Sequence, residues 1–442
     1  MTDTIHVIGA GLAGSEAAYQ AAVRGANVVL HEMKPNKYTP AHHYSGFAEL
    51  VCSNSFRSSQ LSNAVGLLKE ELRVLGSLIM EAADANAVPA GAALAVDRHL
   101  FSDYVTSKLH SMPNVTVVNE EITKLPEDSI VIVASGPLTS DGLSEHLKTV
   151  LGEKYLSFFD AAAPIVDASS IDMSKAYFAS RYGKGDPCYI NCPMEKDEYE
   201  AFYSALISAE EAQLHDFDRE SQKELTVFEG CMPVEVMAKR GKETLLFGPL
   251  KPVGLPYPDT DKEPYAVVQL RQENADKTMY NIVGFQTHLT FEAQKRVFRM
   301  IPGLQNAEFL RYGVMHRNTY INSPKLLNAD YSLRGSNRIF FAGQMTGVEG
   351  YIESTSSGWL AGVNAVRRLK NEEPLILDRK SAVGALASYV SDENVVSFQP
   401  MNVNFGIIAP PDKKIKGSKA IRNQYLSERA LEYVSQIKEN ID

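Results

Sequence analysis

Cysteine is scarce in this chain: Cys52, Cys188, Cys192 and Cys231 are the only four in 442 residues. That is too few for a disulfide scaffold, so any special cysteine acts as a thiol or a metal ligand. Cys188 and Cys192 make a poor zinc site, because no second pair and no His pair lies near them. They are expected to be small buried thiols, and no metal is expected. Long apolar runs are also missing, none reaching the ~20 residues that span a bilayer. The chain enters a strand at once, without a charged and apolar leader. No membrane partner is expected, and the cytoplasm is the expected compartment. Positive charge is in deficit, at 44 Lys and Arg against 54 Asp and Glu, a net −10. This argues against the overall basic coat of a non-specific nucleic-acid binder, though not against a local basic face. Two such clusters stand out, one at Lys413, Lys414, Lys416, Lys419 and Arg422, the other at Arg296, Arg299, Arg311 and Arg317.

What is present begins at residue 5, where Ile-His-Val-Ile runs into Gly9-Ala10-Gly11-Leu12-Ala13-Gly14. Glycines at this spacing, between a strand and a helix, form a dinucleotide site. Gly9 permits the tight turn, Gly11 lets a pyrophosphate approach the backbone, and Gly14 lets the helix pack closely on the strand. Free amides at the helix start then face the phosphates. The spacing predicts a helix over 13–24 and a strand over 27–30. Glu32 stands just past that strand, where a carboxylate accepts ribose hydroxyls. Such an acid suits FAD or NAD and repels a 2′-phosphate, which makes NADPH a poor occupant of this site.

Residues 33–96 contain no clear strand. Within them, 50–59 (Leu-Val-Cys-Ser-Asn-Ser-Phe-Arg-Ser-Ser) gathers hydroxyl and amide side chains around a cysteine and an arginine, a composition that favours a ligand-facing loop or a capped turn. Helices are expected over 64–75 and 97–109, and strands over 115–118 and 129–135. From about 166 aromatics, prolines and charges replace the strand–helix alternation. A Glu-rich helix is expected over 196–215 and a turn over 229–235. The first architecture resumes at 338–354, where an apolar strand stops at Gly343 and a small-residue helix begins near Glu353.

Two ligand-facing strand-to-helix junctions in one chain favour FAD over NAD. The expected fold is α/β: a Rossmann-like FAD-binding domain of the two-dinucleotide-fold flavoprotein type, formed by 1–165 and 325–442, with a large inserted α+β domain at 166–324. The expected cofactor contacts are Gly9, Ala10, Gly11, Leu12, Ala13, Gly14, Glu32, Gly343, Gln344, Gly347, Gly350 and Tyr351. Tyr351 is a candidate to stack on the flavin ring.

Beyond these junctions lie more specific segments: His-Glu-Met-Lys-Pro at 31–35, Leu-Val-Cys-Ser-Asn-Ser-Phe-Arg at 50–57 and Tyr-Ile-Asn-Cys-Pro-Met at 189–194. Further on are Phe-Glu-Gly-Cys-Met-Pro-Val-Glu at 228–235, Gly-Gln-Met-Thr-Gly-Val-Glu-Gly-Tyr at 343–351 and Asn-Phe-Gly at 404–406. With the glycine fingerprint they resemble the folate- and FAD-dependent tRNA uracil-5-methyltransferases from end to end. Lys34 is a departure, standing where that family prefers arginine; it keeps the charge and loses the planar fork.

The resemblance implies transfer of a one-carbon unit from 5,10-methylenetetrahydrofolate, through reduced FAD, to carbon 5 of a T-loop uridine in tRNA, with NAD(P)H as reductant. Uracil carbon 5 is a poor nucleophile until a group adds at carbon 6, and a cysteine thiolate is the strongest ordinary nucleophile for that addition. By resemblance Cys231 takes this role and Cys52 is its flavin-side partner. A free thiol is mostly protonated at neutral pH, so a nearby cation is required; Arg57, Lys239 and Arg240 are the sequence neighbours. The alternatives are the same chemistry on ribosomal RNA, a flavin oxidoreductase acting on a small molecule, and a non-catalytic RNA-binding flavoprotein.

Overall fold

The structure, a computed structural model, describes residues 4–39, 41–152, 155–212, 232–272, 277–395, 398, 400–413 and 415–441. A five-stranded sheet organises the first body, in the order Ile339–Phe341, Ile130–Val133, Thr4–Ile8 (β1), Asn27–His31 (β2) and Val115–Val118. Every pairing in it is parallel, with Ile8 of β1 opposite His31 of β2. Ile130–Val133 and Ile339–Phe341 are buried throughout, as continuous apolar runs are in a sheet covered on both faces. The chain crosses from β1 to β2 through α1 (Leu12–Val23).

α1 packs on the long helix Tyr351–Leu369 with almost no side chain between them. A Cβ added at Gly358 would lie 2.2 Å from the Ala13 carbonyl oxygen, and one at Gly362 would lie 2.7 Å from that of Ala17. The glycines let the two backbones meet, which fixes both helix starts against the same end of the sheet. Trp359, fully buried, donates from Nε1 to the Leu75 carbonyl at 3.1 Å.

The stretch without an expected strand holds a three-stranded antiparallel sheet, ordered Ser55–Ser58, Ala93–Val96, Ala87–Val88. Its strands are two to four residues long and one of them reads Ser-Phe-Arg-Ser, so neither length nor apolar alternation gave a signal.

A second body is built on a six-stranded sheet in the order Tyr177–Ala179, Tyr189–Met194, Ala266–Gln272, Met279–Ile282, Ile165–Asp167, Phe309–Arg311. Its pairings are antiparallel. It has its own core, in which Tyr199 and Phe202 meet Phe285 and Phe298, separate from the core around the parallel sheet. The antiparallel ribbon of Tyr155–Ala162 with Val314–Ile321 carries the chain out and back.

Two expectations change here. The helix expected over 196–215 runs Lys196–Ile207, because the next residues pair instead with 288–290: Ala212 N–H donates to the His288 carbonyl (2.7 Å) and Thr290 N–H to that of Glu210 (2.9 Å). Positions 213–231 lie outside the described residues. Of the turn expected over 229–235, residues 229–231 lie outside the described residues, and its end is a helix, Val234–Lys239, with Pro233 at its N-cap. Glu235 is drawn inward there, its carboxylate accepting from Thr287 Oγ1 (2.7 Å) and His288 N–H (2.8 Å).

Candidate functional site

The carboxyl ends of the parallel strands surround a cleft of about 1150 Å³, mouth included. This is where open α/β sheets bind ligands. Its floor is the glycine turn after β1. Gly9 has φ +95°, and a Cβ there would lie 2.7 Å from the Ala134 carbonyl oxygen; one at Gly14 would lie 1.8 Å from that of Gly9. These two glycines are needed by the protein's own packing. A Cβ at Gly11 meets nothing within 4 Å, so that position faces open space. Gly11 caps α1 without a side-chain hydrogen bond, leaving the first-turn amides directed at the cleft.

Glu32 is buried at the edge of the cleft. Its carboxylate accepts from Ala10 N–H (2.9 Å) and Lys34 N–H (3.0 Å), tying the glycine turn to the end of β2. A carboxylate has about four acceptor positions, so two remain for ribose hydroxyls. Lys34 places its buried ammonium on the carbonyls of Tyr44 (3.0 Å) and Gly46 (2.6 Å), 3.5 Å from Glu49. Separate carbonyls suit a compact ammonium with three donors, so the missing fork costs nothing in these contacts.

The opposite wall comes from the second junction and brings Gly343, Gln344, Tyr351 and Ser354 to the cleft. Gly347 and Gly350 are placed differently. A Cβ at Gly347 would overlap the Phe398 ring at 2.2 Å, and one at Gly350 would meet Glu353 Oε2 at 2.3 Å, so both positions are required by packing around the loop. Gly350 caps the helix Tyr351–Leu369 without a side-chain bond, which points a second set of helix-start amides at the same region.

Tyr351 connects the cleft to Cys52. Its hydroxyl oxygen accepts from the backbone N–H of Cys52 (2.9 Å) and of Ser53 (3.0 Å), and burial pushes its pKa well above the ordinary range, so it stays neutral. The residue expected to stack on a flavin therefore also holds the cysteine loop. Tyr351→Phe removes the acceptor of two amides and is expected to destabilise the protein by roughly 1–2 kcal/mol. An unchanged urea midpoint would contradict this role.

Two of the three cations near the cysteines in sequence are already engaged. Arg57 pairs with the fully buried Glu353, whose Oε1 also accepts from Val403 N–H (3.0 Å), and Lys239 pairs with Glu211 at 2.5 Å. Cys192 is wholly buried, which pushes its pKa up to about 12 and makes it inert; Cys188 is half-buried and shifted up by burial. Cys231 lies outside the described residues.

Of the basic clusters, Lys413, Lys416 and Arg422 are exposed, with Lys413 Nζ 5.3 Å from the centre of the Tyr425 ring. Lys414 and the Lys419 side chain lie outside the described residues. Arg296 is paired with Glu210 (2.6 Å), and Arg299 folds onto the Ala307 carbonyl (2.7 Å).

Sequence reasoning missed several cleft residues. Ser135 and Thr139 line it from the loop after Ile130–Val133, signalled only by Gly136-Pro137 behind an apolar strand. His31 lines it from β2, with Nε2 2.9 Å from His6 Nδ1 and Nδ1 3.1 Å from Glu120; burial holds its pKa below the usual histidine value.

A parallel sheet with two uncapped helix starts, a glycine turn open at Gly11 and a ribose-type carboxylate define a dinucleotide-binding flavoprotein fold. Comparison agrees. Residues 4–373 match the family model of glucose inhibited division protein A. The fold is similar to that of Aquifex aeolicus GidA, with a TM-score of 0.72 at 18% identity over 99% of this chain and 73% of that one. In sequence the chain is 62% identical over 439 residues to the methylenetetrahydrofolate–tRNA-(uracil-5-)-methyltransferase TrmFO of Acetivibrio thermocellus, covering 98% of this chain and 99% of that protein. It is 59% identical over 433 residues to the protein of the same description from Bacillus cereus, covering 98% of each. The chain belongs to the glucose inhibited division protein A family and, within it, to the methylenetetrahydrofolate–tRNA-(uracil-5-)-methyltransferases.

Proposed function

We propose that this protein methylates carbon 5 of a T-loop uridine in tRNA, using 5,10-methylenetetrahydrofolate as carbon donor, FAD as cofactor and NAD(P)H as reductant. The observation that carries this reading is the tie between Tyr351 in the dinucleotide cleft and the Cys52 loop, in a chain 59–62% identical to named methyltransferases over nearly its whole length. The residues fit FAD: the open space at Gly11 and the amides of α1 would hold the pyrophosphate, Glu32 would hold the ribose, and Gly343, Gln344 and Tyr351 would be available to the ring. Bound FAD supplies the reducing equivalents that turn a methylene unit into a methyl group.

The chain's own contribution is thiol chemistry and positioning. The Cys231 thiolate forms a bond to carbon 6, and the double-bond electrons move toward the carbon 4 carbonyl, making carbon 5 nucleophilic. After carbon 5 has received its substituent, loss of its proton restores the double bond and expels the thiolate. Cys52, whose backbone amide is held by the cleft residue Tyr351, is the second catalytic thiol. We take 1–165 with 325–442 as the FAD-binding domain and 166–324 as an inserted domain that carries Cys231. Separate cores and the paired ribbon support that division.

No helix among the described residues is long and apolar enough to cross a membrane, and we place the enzyme in the cytoplasm with its tRNA. The exposed cations Lys413, Lys416 and Arg422, with Lys414 and Lys419, are the proposed RNA contacts. Alanine at Lys413, Lys414 and Lys416 is expected to weaken tRNA binding and to reduce the salt slope by about 0.9 for each phosphate left without its cation. Unchanged affinity and slope would make this cluster a merely solvated face.

The direct test incubates the purified protein with methylenetetrahydrofolate, NAD(P)H and either unmodified tRNA or unmodified ribosomal RNA. The expected outcome is 5-methyluridine in tRNA. Product in ribosomal RNA alone would move the target, and product in neither would reject the reading.

A further inference from the structure

A buried polar cluster joins the two bodies beside Cys52. Asn54 is fully buried; its Nδ2 donates to the Val96 carbonyl (3.0 Å) and the Gln272 carbonyl (2.8 Å). Its Oδ1 accepts from Arg271 Nε at 3.1 Å, and Arg271 Nη2 donates to Ser53 Oγ at 2.5 Å. Ser53, Asn54 and Val96 belong to the parallel-sheet body. Arg271 and Gln272 end the strand Ala266–Gln272 of the antiparallel body. Arg271 is 9% exposed and also shares a hydrogen bond with Tyr189 on the adjacent strand. The amides of Cys52 and Ser53 are held by Tyr351 of the first body, while the side chains of Ser53 and Asn54 are held by the second.

We propose that Arg271 is a positioning residue for Cys52, coupling the orientation of the cysteine loop to the placement of the antiparallel-sheet body. The inference rests on the reading of Cys52 as a catalytic thiol. The guanidinium is suited to it, because one rigid fork directs Nε at Asn54 and Nη2 at Ser53, two neighbours of the cysteine at once. A lysine has one nitrogen on a flexible stem and cannot reproduce both vectors. If the cluster served only to glue the bodies together, its loss would change stability and leave the thiol's reactivity alone. If it positions Cys52, the thiol's reactivity and the turnover number change while substrate binding does not.

The experiment uses full-length, FAD-bound protein as wild type, Arg271→Lys, Ser53→Ala and Cys52→Ala. One readout is the rate at which iodoacetamide labels Cys52 without RNA or folate, followed by peptide mass spectrometry. The other is steady-state 5-methyluridine formation. For Arg271→Lys the labelling rate is expected to change severalfold and kcat to fall about tenfold to a hundredfold, as misplacement of a reacting group does. KM for folate and tRNA is expected to stay within about twofold. Ser53→Ala is expected to move both readouts in the same direction by less. Wild-type labelling and kcat in Arg271→Lys would overturn the proposal; if that variant fails to fold, Ser53→Ala decides by the same readouts. Full methylation by Cys52→Ala would instead refute the catalytic reading of Cys52, and the labelling arm would still decide whether Arg271 orients it.

Discussion

Cys231→Ala is expected to purify as a yellow, folded, FAD-bound protein that makes no 5-methyluridine in tRNA. Addition at carbon 6 precedes every later step, so removing the nucleophile is expected to lower turnover by at least about 10³-fold while leaving cofactor binding intact. The segment that follows Cys231 is firmly held. Met232 is buried, Pro233 caps the helix Val234–Lys239, Val234 N–H donates to the Gln286 carbonyl at 2.8 Å, and the Glu235 carboxylate is fixed by Thr287 and His288. Because these anchors lie after the cysteine, its alanine variant is expected to keep them. Wild type is expected to form a covalent complex with 5-fluorouridine-substituted tRNA, since fluorine at carbon 5 blocks the proton loss that releases the thiolate; Cys231→Ala is expected to form none. Near-normal methylation by the variant would transfer the nucleophile's role to Cys52.

Two neighbouring glycines are expected to fail in opposite ways. Gly11→Val is expected to give a folded but colourless protein that FAD does not reconstitute. Its Cβ meets no protein atom within 4 Å, and its backbone, at φ −70° and ψ −171°, is extended and open to any residue, so the side chain fills only the space into which a pyrophosphate would fit. Gly14→Val is expected to lose the fold, because its Cβ would lie 1.8 Å from the Gly9 carbonyl oxygen and the helix would be forced off the strand. Circular dichroism with flavin absorbance separates the two. FAD retained by Gly11→Val at wild-type stoichiometry would remove the pyrophosphate from this turn. The bound FAD is also expected to be released intact by mild denaturation, since amides and Glu32 hold it without a covalent bond.

The parts legible in the sequence were those whose signals are local. A glycine turn between an apolar strand and a helix needs about 30 contiguous residues to declare itself, and the structure places β1, α1 and β2 where that pattern puts them. The helix Arg98–His110 is preceded by Asp97, whose carboxylate caps it as the residue type suggests. What stayed hidden depends on contacts distant along the chain. Gly347 and Gly350 carry the composition of a ligand loop, yet Phe398 and Glu353 explain why they must be glycine. The helix after Lys196 stops early because 210–212 pair with 288–290, a competition no helical propensity reports. Asn54 and Arg271 look like a turn residue and a strand cation until a separation of 217 residues is closed.

The source of the methyl carbon tests the account most directly, because both glycine-marked strand-to-helix junctions are assigned to FAD and the sequence shows no further one left for S-adenosylmethionine. Purified protein is given unmodified tRNA, NAD(P)H, methylenetetrahydrofolate labelled in its methylene carbon and S-adenosylmethionine carrying a different label in its methyl group. The account predicts the folate label in 5-methyluridine and none from S-adenosylmethionine. Label arriving from S-adenosylmethionine would contradict it.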